Sequence, residues 1–408
     1  MSKPLALPFI PVARSRIADH GIRGLSMRTV AQGAGSSVGS LNHHIGDKAA
    51  LIGRLIEEER KERRDLLDRW RERTAQLDLA DPQVLATVIA AYLEEAAVVR
   101  REAAITTCEF LVEAIVDPGG FPTLPGLLDD EDHFWARLLE RDHRQGADAL
   151  ARAIAAYCRD ELPFSIAAPC HTDYRLLRAA TIQRLAEGMA GQASGLSRGF
   201  AALVSACGEG NAAVQMPFDL PEGSKRAEVA DYAANVMMQM GAAGITHRQV
   251  ASEGGIPHTS VAHYFPTRDD LMHAAIGSLI LRARHEVRGT SLEDTDGSYG
   301  LTLIRATHSV ALAAARDPAL VVFALDMRRR RAENVHAVVS KAIGGSEGLD
   351  RAAAQTATMI LIGSGLAAMT RGGAGGGKVI RAKDLAQLRT ASSNGGASLA
   401  ARGARPEG

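Results

Sequence analysis

The sequence predicts an all-α protein made of two tandem helical units. Three observations carry that prediction. Apolar residues fill 46% of the 408 positions and aromatics only 4%, an Ala- and Leu-rich profile with few β-branched or aromatic runs. The chain is longer than one hydrophobic core usually serves. Most tellingly, it matches itself: "GIRGLSMRTVAQGAGSSVGSLNHHIGDKAALIGRLI" at 21–56 is answered by "GAAGITHRQVASEGGIPHTSVAHYFPTRDDLMHAAI" at 241–276, at a constant offset of 220 and without a gap. Gly21, Arg28, Val30, Ala31, Gly35, Ser40, His43 and Leu51 return as Gly241, Arg248, Val250, Ala251, Gly255, Ser260, His263 and Leu271.

Each element of the repeated segment has a local reason. Residues 11–20 form an amphipathic pattern ending at Gly21. Ser26 is a helix cap before Met27, Val30 and Ala31, and Gly33 and Gly35 close that helix. Ser36 or Ser37 starts a short helix to about His43, and Asp47 caps the long one beginning near Lys48. The second copy keeps the plan, with Thr246 as cap, Gly254-Gly255 at the turn and Pro257 at a favourable first-turn position. Three short helices with a tight turn between the last two are a helix-turn-helix arrangement.

The implied organisation is a first helix-turn-helix domain at 1–56, a first helical body at 57–215, and a linker at 216–224. A second helix-turn-helix domain follows at 225–276, then a second body at 277–370 and a flexible Gly-rich tail at 371–408.

Formal net charge is zero, with 47 basic and 47 acidic residues, so the chain is not a general nucleic-acid coat. Locally the balance differs. Residues 11–55 carry six cations (Arg14, Arg16, Arg23, Arg28, Lys48, Arg54) against Asp19 and Asp47. Residues 225–271 carry four (Lys225, Arg226, Arg248, Arg268) against Glu228, Asp231, Glu253, Asp269 and Asp270. The second copy therefore has the weaker electrostatic case for DNA.

A short third helix fits the major groove, where its polar side chains reach base edges while neighbouring cations hold phosphates. Base-reading candidates are Ser36, Ser37, Ser40, Asn42 and His43 in the first copy, and Pro257, His258, Thr259 and His263 in the second. Arg28, Lys48, Arg248 and Arg268 are the phosphate candidates.

"GLSMRTVAQGAGSSVGSLNHHIGDKAAL" and "GITHRQVASEGGIPHTSVAHYFPTRDDL" both resemble the DNA-binding domain of the TetR family of bacterial transcriptional regulators. The resemblance covers about 45 residues in each half. It implies helical bodies that dimerise, commonly through a four-helix bundle, and often enclose a small effector. It departs at Asn42 and Ala262, where the family commonly has Tyr, and at "HHI" (43–45), where the second copy keeps the aromatic "HYF" (263–265).

The resulting expectation is a sequence-specific regulator, a small-molecule-responsive repressor whose two halves form an intramolecular pseudo-dimer on double-stranded operator DNA. Further association into a homodimer of such chains stays open. A small apolar or aromatic effector would lie in the first body near Cys108, Phe110, Phe134, Trp135 and Tyr157, with His133 and His143 as further polar handles. The competing reading is a duplicated helical interaction protein whose reading heads have degenerated.

No enzyme chemistry, cofactor or metal is expected. There is no GxSxG elbow, no GK[ST] loop, and no CxxC spacing among Cys108, Cys158, Cys170 and Cys207. The start lacks the order of a signal peptide, and no stretch reads as a membrane span, so a cytoplasmic setting without membrane contact is expected.

Overall fold

Ser26 leaves an extended backbone and its hydroxyl accepts from Thr29 N–H, while Thr29 returns a bond to Ser26 N–H. Such reciprocal capping starts a helix at a defined residue. Ser37 accepts from Ser40 N–H at 3.1 Å and Asp47 from Ala50 N–H at 2.9 Å, fixing the next two starts. These caps start α2 (Met27–Gly33), α3 (Val38–His44) and α4 (Lys48–Arg73), which with the preceding α1 (Phe9–His20) form head 1.

The computed structural model describes residues 8–141, 146–208, 219–288, 301–333, 335–345, 348–372 and 380–403. His143, residues 216–218 of the expected linker, and 373–379 and 404–408 of the expected tail lie outside them. After head 1 come α5 (Pro82–Glu94), a π-helical turn at Glu95–Val99, α6 (Arg101–Ala114), α7 (Leu124–Glu140), α8 (Ala147–Ala167), α9 (Thr172–Ala186), α10 (Gly195–Arg198) and α11 (Phe200–Ala206). Head 2 comprises α12 (Lys225–Met240), α13 (His247–Gly254), α14 (His258–Tyr264) and α15 (Arg268–Arg288). The remaining helices are α16 (Leu301–Ala314), α17 (Val321–Arg329), α18 (His336–Gly344), α19 (Arg351–Thr370) and α20 (Ala382–Gly403). Among the described residues there is no strand.

Several elements of the two segments share one spacing. α3 and α14, and the starts of α4 and α15, lie 220 positions apart, as do the turn glycines Gly35 and Gly255, with φ of 63° and 59°. A side chain would be strained in that left-handed conformation. Val30, Leu41 and Leu51 are buried, as are Val250, Val261 and Leu271. Further on, the spacing shortens to 200: α6 ends in an Asp117-Pro118 cap and 3-10 turn, and α16 ends in the same way at Asp317-Pro318.

The bodies do not stand apart. α19 lies along α8 and also touches α9, and α16 packs on α6 and α8. One core cluster joins Tyr157, Ile154 and Leu185 to Ala353, Ala357, Met359 and Ile360. A second joins Phe164, Tyr174 and Leu177 to head 2 itself.

Buried charge crosses the same seam. The fully buried Arg328 guanidinium donates to Glu161 at 2.6 Å, while Tyr157 and Tyr174 hydroxyls also donate to Glu161. Beside it, Asp160 accepts from Arg331 and from His308 Nε2, each at 2.8 Å. The acids belong to α8, and their donors to α16, α17 and the turn after it.

Burial pushes the His308 imidazole below its ordinary value, against the pull of Asp160. Burial opposes ionisation of Asp160 too, but Arg331 and His308 outweigh it and hold that carboxyl below its usual range. Both folded-state values are depressed, so the unfolded chain binds more protons on acidification. Stability is present above the ordinary His value of about 6.5 and is lost below it, with the Asp160 contribution following below about 3.9. Thermal midpoints are expected to fall from pH 7 to pH 5, and His308→Gln to flatten that slope. An unchanged slope in the variant would assign the acid sensitivity elsewhere.

Two expectations need correction. Residues 371–408 do not form a flexible tail throughout: α20 occupies 382–403, and Ile380, Leu385 and Leu388 are buried in the core with α18 and α8. These apolar side chains at a helical spacing supply the burial that a Gly-rich composition hides. The apolar stretches were also underestimated. Pro82–Val99 and Arg351–Thr370 have the length and composition of membrane spans, with mean hydropathy 1.3 and 1.4. In the fold, 83% of the α19 stretch is buried, against 33% of Pro82–Val99, where α5 turns Leu85, Ile89 and Tyr92 inward against α9 and the core.

Candidate nucleic-acid interface

Leu41 plugs the core of head 1 and thereby decides which way α3 faces. With that side chain inward, Asn42, His43 and His44 are exposed. Ser37 is exposed as well, while Ser36 and Ser40 are half-buried. The Ser37 oxygen accepts one bond as the helix cap, which leaves its hydroxyl proton and a second lone pair for DNA. His43 and His44 rings meet edge to face at 5.2 Å, and His44 lies 6.5 Å from Phe9.

Arg28 and Lys48 are exposed on either side of this helix. The start of α4 offers backbone N–H groups to a phosphate, but the Asp47 carboxylate takes one of them, Ala50 N–H. Lys48 therefore has to supply the positive charge at that corner.

Head 2 presents a related outline with different chemistry. Val261 plugs its core, and Arg248, Pro257, His258, Thr259 and His263 are exposed. Arg268 is engaged within the head while its side chain stays 41% exposed. Its guanidinium turns back to donate to Ile245 O at 3.2 Å and Ala242 O at 3.3 Å, with Asp317 3.9 Å away. The planar fork reaches two carbonyls of the preceding 3-10 turn at once, an arrangement that the single ammonium of Lys48 cannot reproduce. Arg226 is also engaged, lying 4.7 Å over the Phe265 ring and donating to Tyr264 O. Lys225 pairs with Glu228 at 2.7 Å. Of the four cations in 225–271, three are thus engaged within the segment itself.

The expected effector residues fall in three different core clusters. Phe134, Trp135 and Tyr157 belong to the core shared by the two bodies, Phe110 packs with Phe121 beneath head 1, and Cys108 lies in a small cluster with Ala18 and Leu312. His133 is exposed. A cleft among α4 to α8 does reach Cys108, together with Arg63, Tyr92, Thr107, Glu131 and Arg159, but it offers only about 20 Å³. That holds a water and not an aromatic ligand. Burial pushes the Cys108 thiol up to about 12 and Cys158 well above its ordinary value, which disfavours the reactive thiolate at both. Among the described residues, no group of three His, Cys, Asp or Glu side chains is placed to hold a metal ion.

Sequence reasoning missed the charged groups that join heads to bodies. Glu109 on α6 accepts from Ile22 N–H of head 1, and Arg23 pairs with Glu113 at 2.9 Å. The i, i+4 spacing of the two acids puts them on one face of α6 and was the available signal.

A helix capped by Ser37, plugged by Leu41 and lined outward with Asn42 and His43, after the turn at Gly35, defines a helix-turn-helix module. Residues 10–55 match the family model of bacterial regulatory proteins, tetR family. The chain therefore carries an N-terminal TetR-type helix-turn-helix domain within an all-α protein. No curated protein matches the chain.

Proposed function

We propose that this protein is a sequence-specific DNA-binding transcriptional regulator that acts as a single-chain pseudo-dimer, with head 1 the stronger reader and head 2 a divergent second copy. The polar, outward face of α3 between Arg28 and Lys48 carries the DNA-binding part of this reading. The constant 220-residue spacing of the head elements supports duplication. The pairing of α8 with α19 and of α6 with α16 supports a dimer-like arrangement inside one chain. Head 2 is the weaker reader because Arg226 and Arg268 are bound to its own carbonyls.

The test is selection from a random duplex library with the full chain, followed by titration at stated salt. Arg28→Ala or Lys48→Ala is expected to weaken binding about tenfold and to lower the salt slope by about 1, as loss of one phosphate contact does. Arg248→Ala is expected to cost less. Equal losses in both heads would reject the asymmetry. Absence of selective, salt-sensitive binding would instead favour the interaction-protein reading.

A further inference from the structure

The two heads are gripped at equivalent points by one helix. In head 1, Arg316 donates from Nε to Ala18 O at 2.7 Å and from Nη2 to Ile17 O at 3.0 Å, closing the last turn of α1. In head 2, Arg305 donates to Met238 O in the last turn of α12. Ala18 and Met238 are 220 positions apart, so the same carbonyl is held in each head. Both guanidiniums come from α16 or the turn immediately after it.

Helix α6 braces both from the other side. Glu109 accepts from Arg316 at 2.6 Å and from Ile22 N–H of head 1. Glu113 lies 3.7 Å from Arg305 and pairs with Arg23 of head 1. The order of these contacts, 109 with 316 and 113 with 305, makes an antiparallel ladder between α6 and α16. Arg305 and Arg316 are separated by about 16 Å of helical rise. The positions 200 residues before Arg316 and after Glu109 are Val116 and Ser309, so the ladder has no mirror-image copy serving head 2.

We propose that Arg305 and Arg316 are positioning residues for DNA recognition, and that α16, braced by Glu109 and Glu113, is a rigid gauge that sets the distance between the two reading heads and hence the half-site spacing. This rests on the DNA-binding reading above. One inserted base pair moves a half-site by about 3.4 Å and rotates it by about 34°, so a fixed gauge rejects wrong spacings while tethered, independent heads tolerate them.

The experiment uses the full chain and duplexes built from the sequence it selects, with zero to four base pairs inserted between the half-sites, and a duplex with one half-site. Wild type is expected to lose about tenfold or more in affinity on a one- or two-pair insertion. Arg316→Ala is expected to bind all spacings within about threefold of one another, with single-half-site affinity unchanged. Should that variant not melt cooperatively, Glu109→Gln serves the same comparison, since it keeps an acceptor for Ile22 N–H and removes the charge that holds Arg316. Retention of the wild-type spacing profile by the folded variant would overturn the gauge. Selection of an unpaired site by wild type would overturn it and leave DNA binding intact. Selection of no sequence would overturn the DNA-binding reading and the gauge with it.

Discussion

Replacing Arg328 by methionine is expected to remove about 3–5 kcal/mol of folding stability, the usual cost of stranding one partner of a buried ion pair. Arg328 and Glu161 are both fully buried, and the guanidinium also donates to Gln355 and Thr181. With the cation gone, the Glu161 carboxylate keeps the Tyr157 and Tyr174 hydroxyls but loses its directly bonded charge, leaving only the longer-range attraction of Arg178. Pairing the change with Glu161→Gln is expected to recover a large part of the loss, because the buried charge is then absent rather than stranded. Urea unfolding of the two single variants and the double variant closes the cycle. A single variant within about 1 kcal/mol of wild type would show that the pair does not bear on folding.

The same pair bears on how the halves recognise each other. At the 200-residue spacing that relates α6 to α16, the counterparts of His308, Arg328 and Arg331 are Cys108, Leu128 and Glu131. These donors thus lie on α16, α17 and the turn after it, with no equivalents 200 residues earlier, and they face acids contributed by α8. Two first halves brought together would oppose Asp160 and Glu161 to a thiol, a leucine and another acid, leaving buried carboxylates unpaired. Specificity of this kind comes from what the wrong pairing would strand.

The heads were legible in the sequence because their signals are local. Ser26, Ser37 and Asp47 cap within three residues, Gly35 turns at its own φ, and Leu41 faces inward by helical period. The seam was not legible for the opposite reason. "YCRDEL" and "MRRRRAE" read as solvated helix faces, and only the meeting of α8 with α16 and α17, well over a hundred residues apart, buries them. Arg268 illustrates the same limit inside a motif. Its position matches Lys48, yet its planar fork finds the carbonyls of Ala242 and Ile245 while the side chain stays partly exposed. The aromatic residues of the first body suffered similarly, since composition supplies six-membered rings without saying that three lie in one cluster and Phe110 in another.

The largest loss is expected at Gly363, where α19 crosses α8. A Cβ built there would fall 1.8 Å from Ala156 O and 2.6 Å from its carbonyl carbon. These are backbone atoms, so no rotamer change relieves the overlap, and the helices themselves must separate. The next residue on α8 is Tyr157, which holds Glu161 and Thr181, so separation at this point also opens the buried network. Alanine ordinarily stabilises a helix interior relative to glycine by about 1 kcal/mol. At position 363 the sign is expected to reverse, with Gly363→Ala costing about 3 kcal/mol or more and Gly363→Leu leaving no cooperative unfolding transition. Gly53 in α4 supplies the control, since a Cβ there meets nothing within 4 Å. Gly53→Ala is expected to raise stability by about 0.5–1 kcal/mol. Thermal melts followed by helical circular dichroism read both. If Gly363→Ala melts at or above wild type, the close crossing of α8 and α19 is not present, and the joint between the two halves has to lie elsewhere.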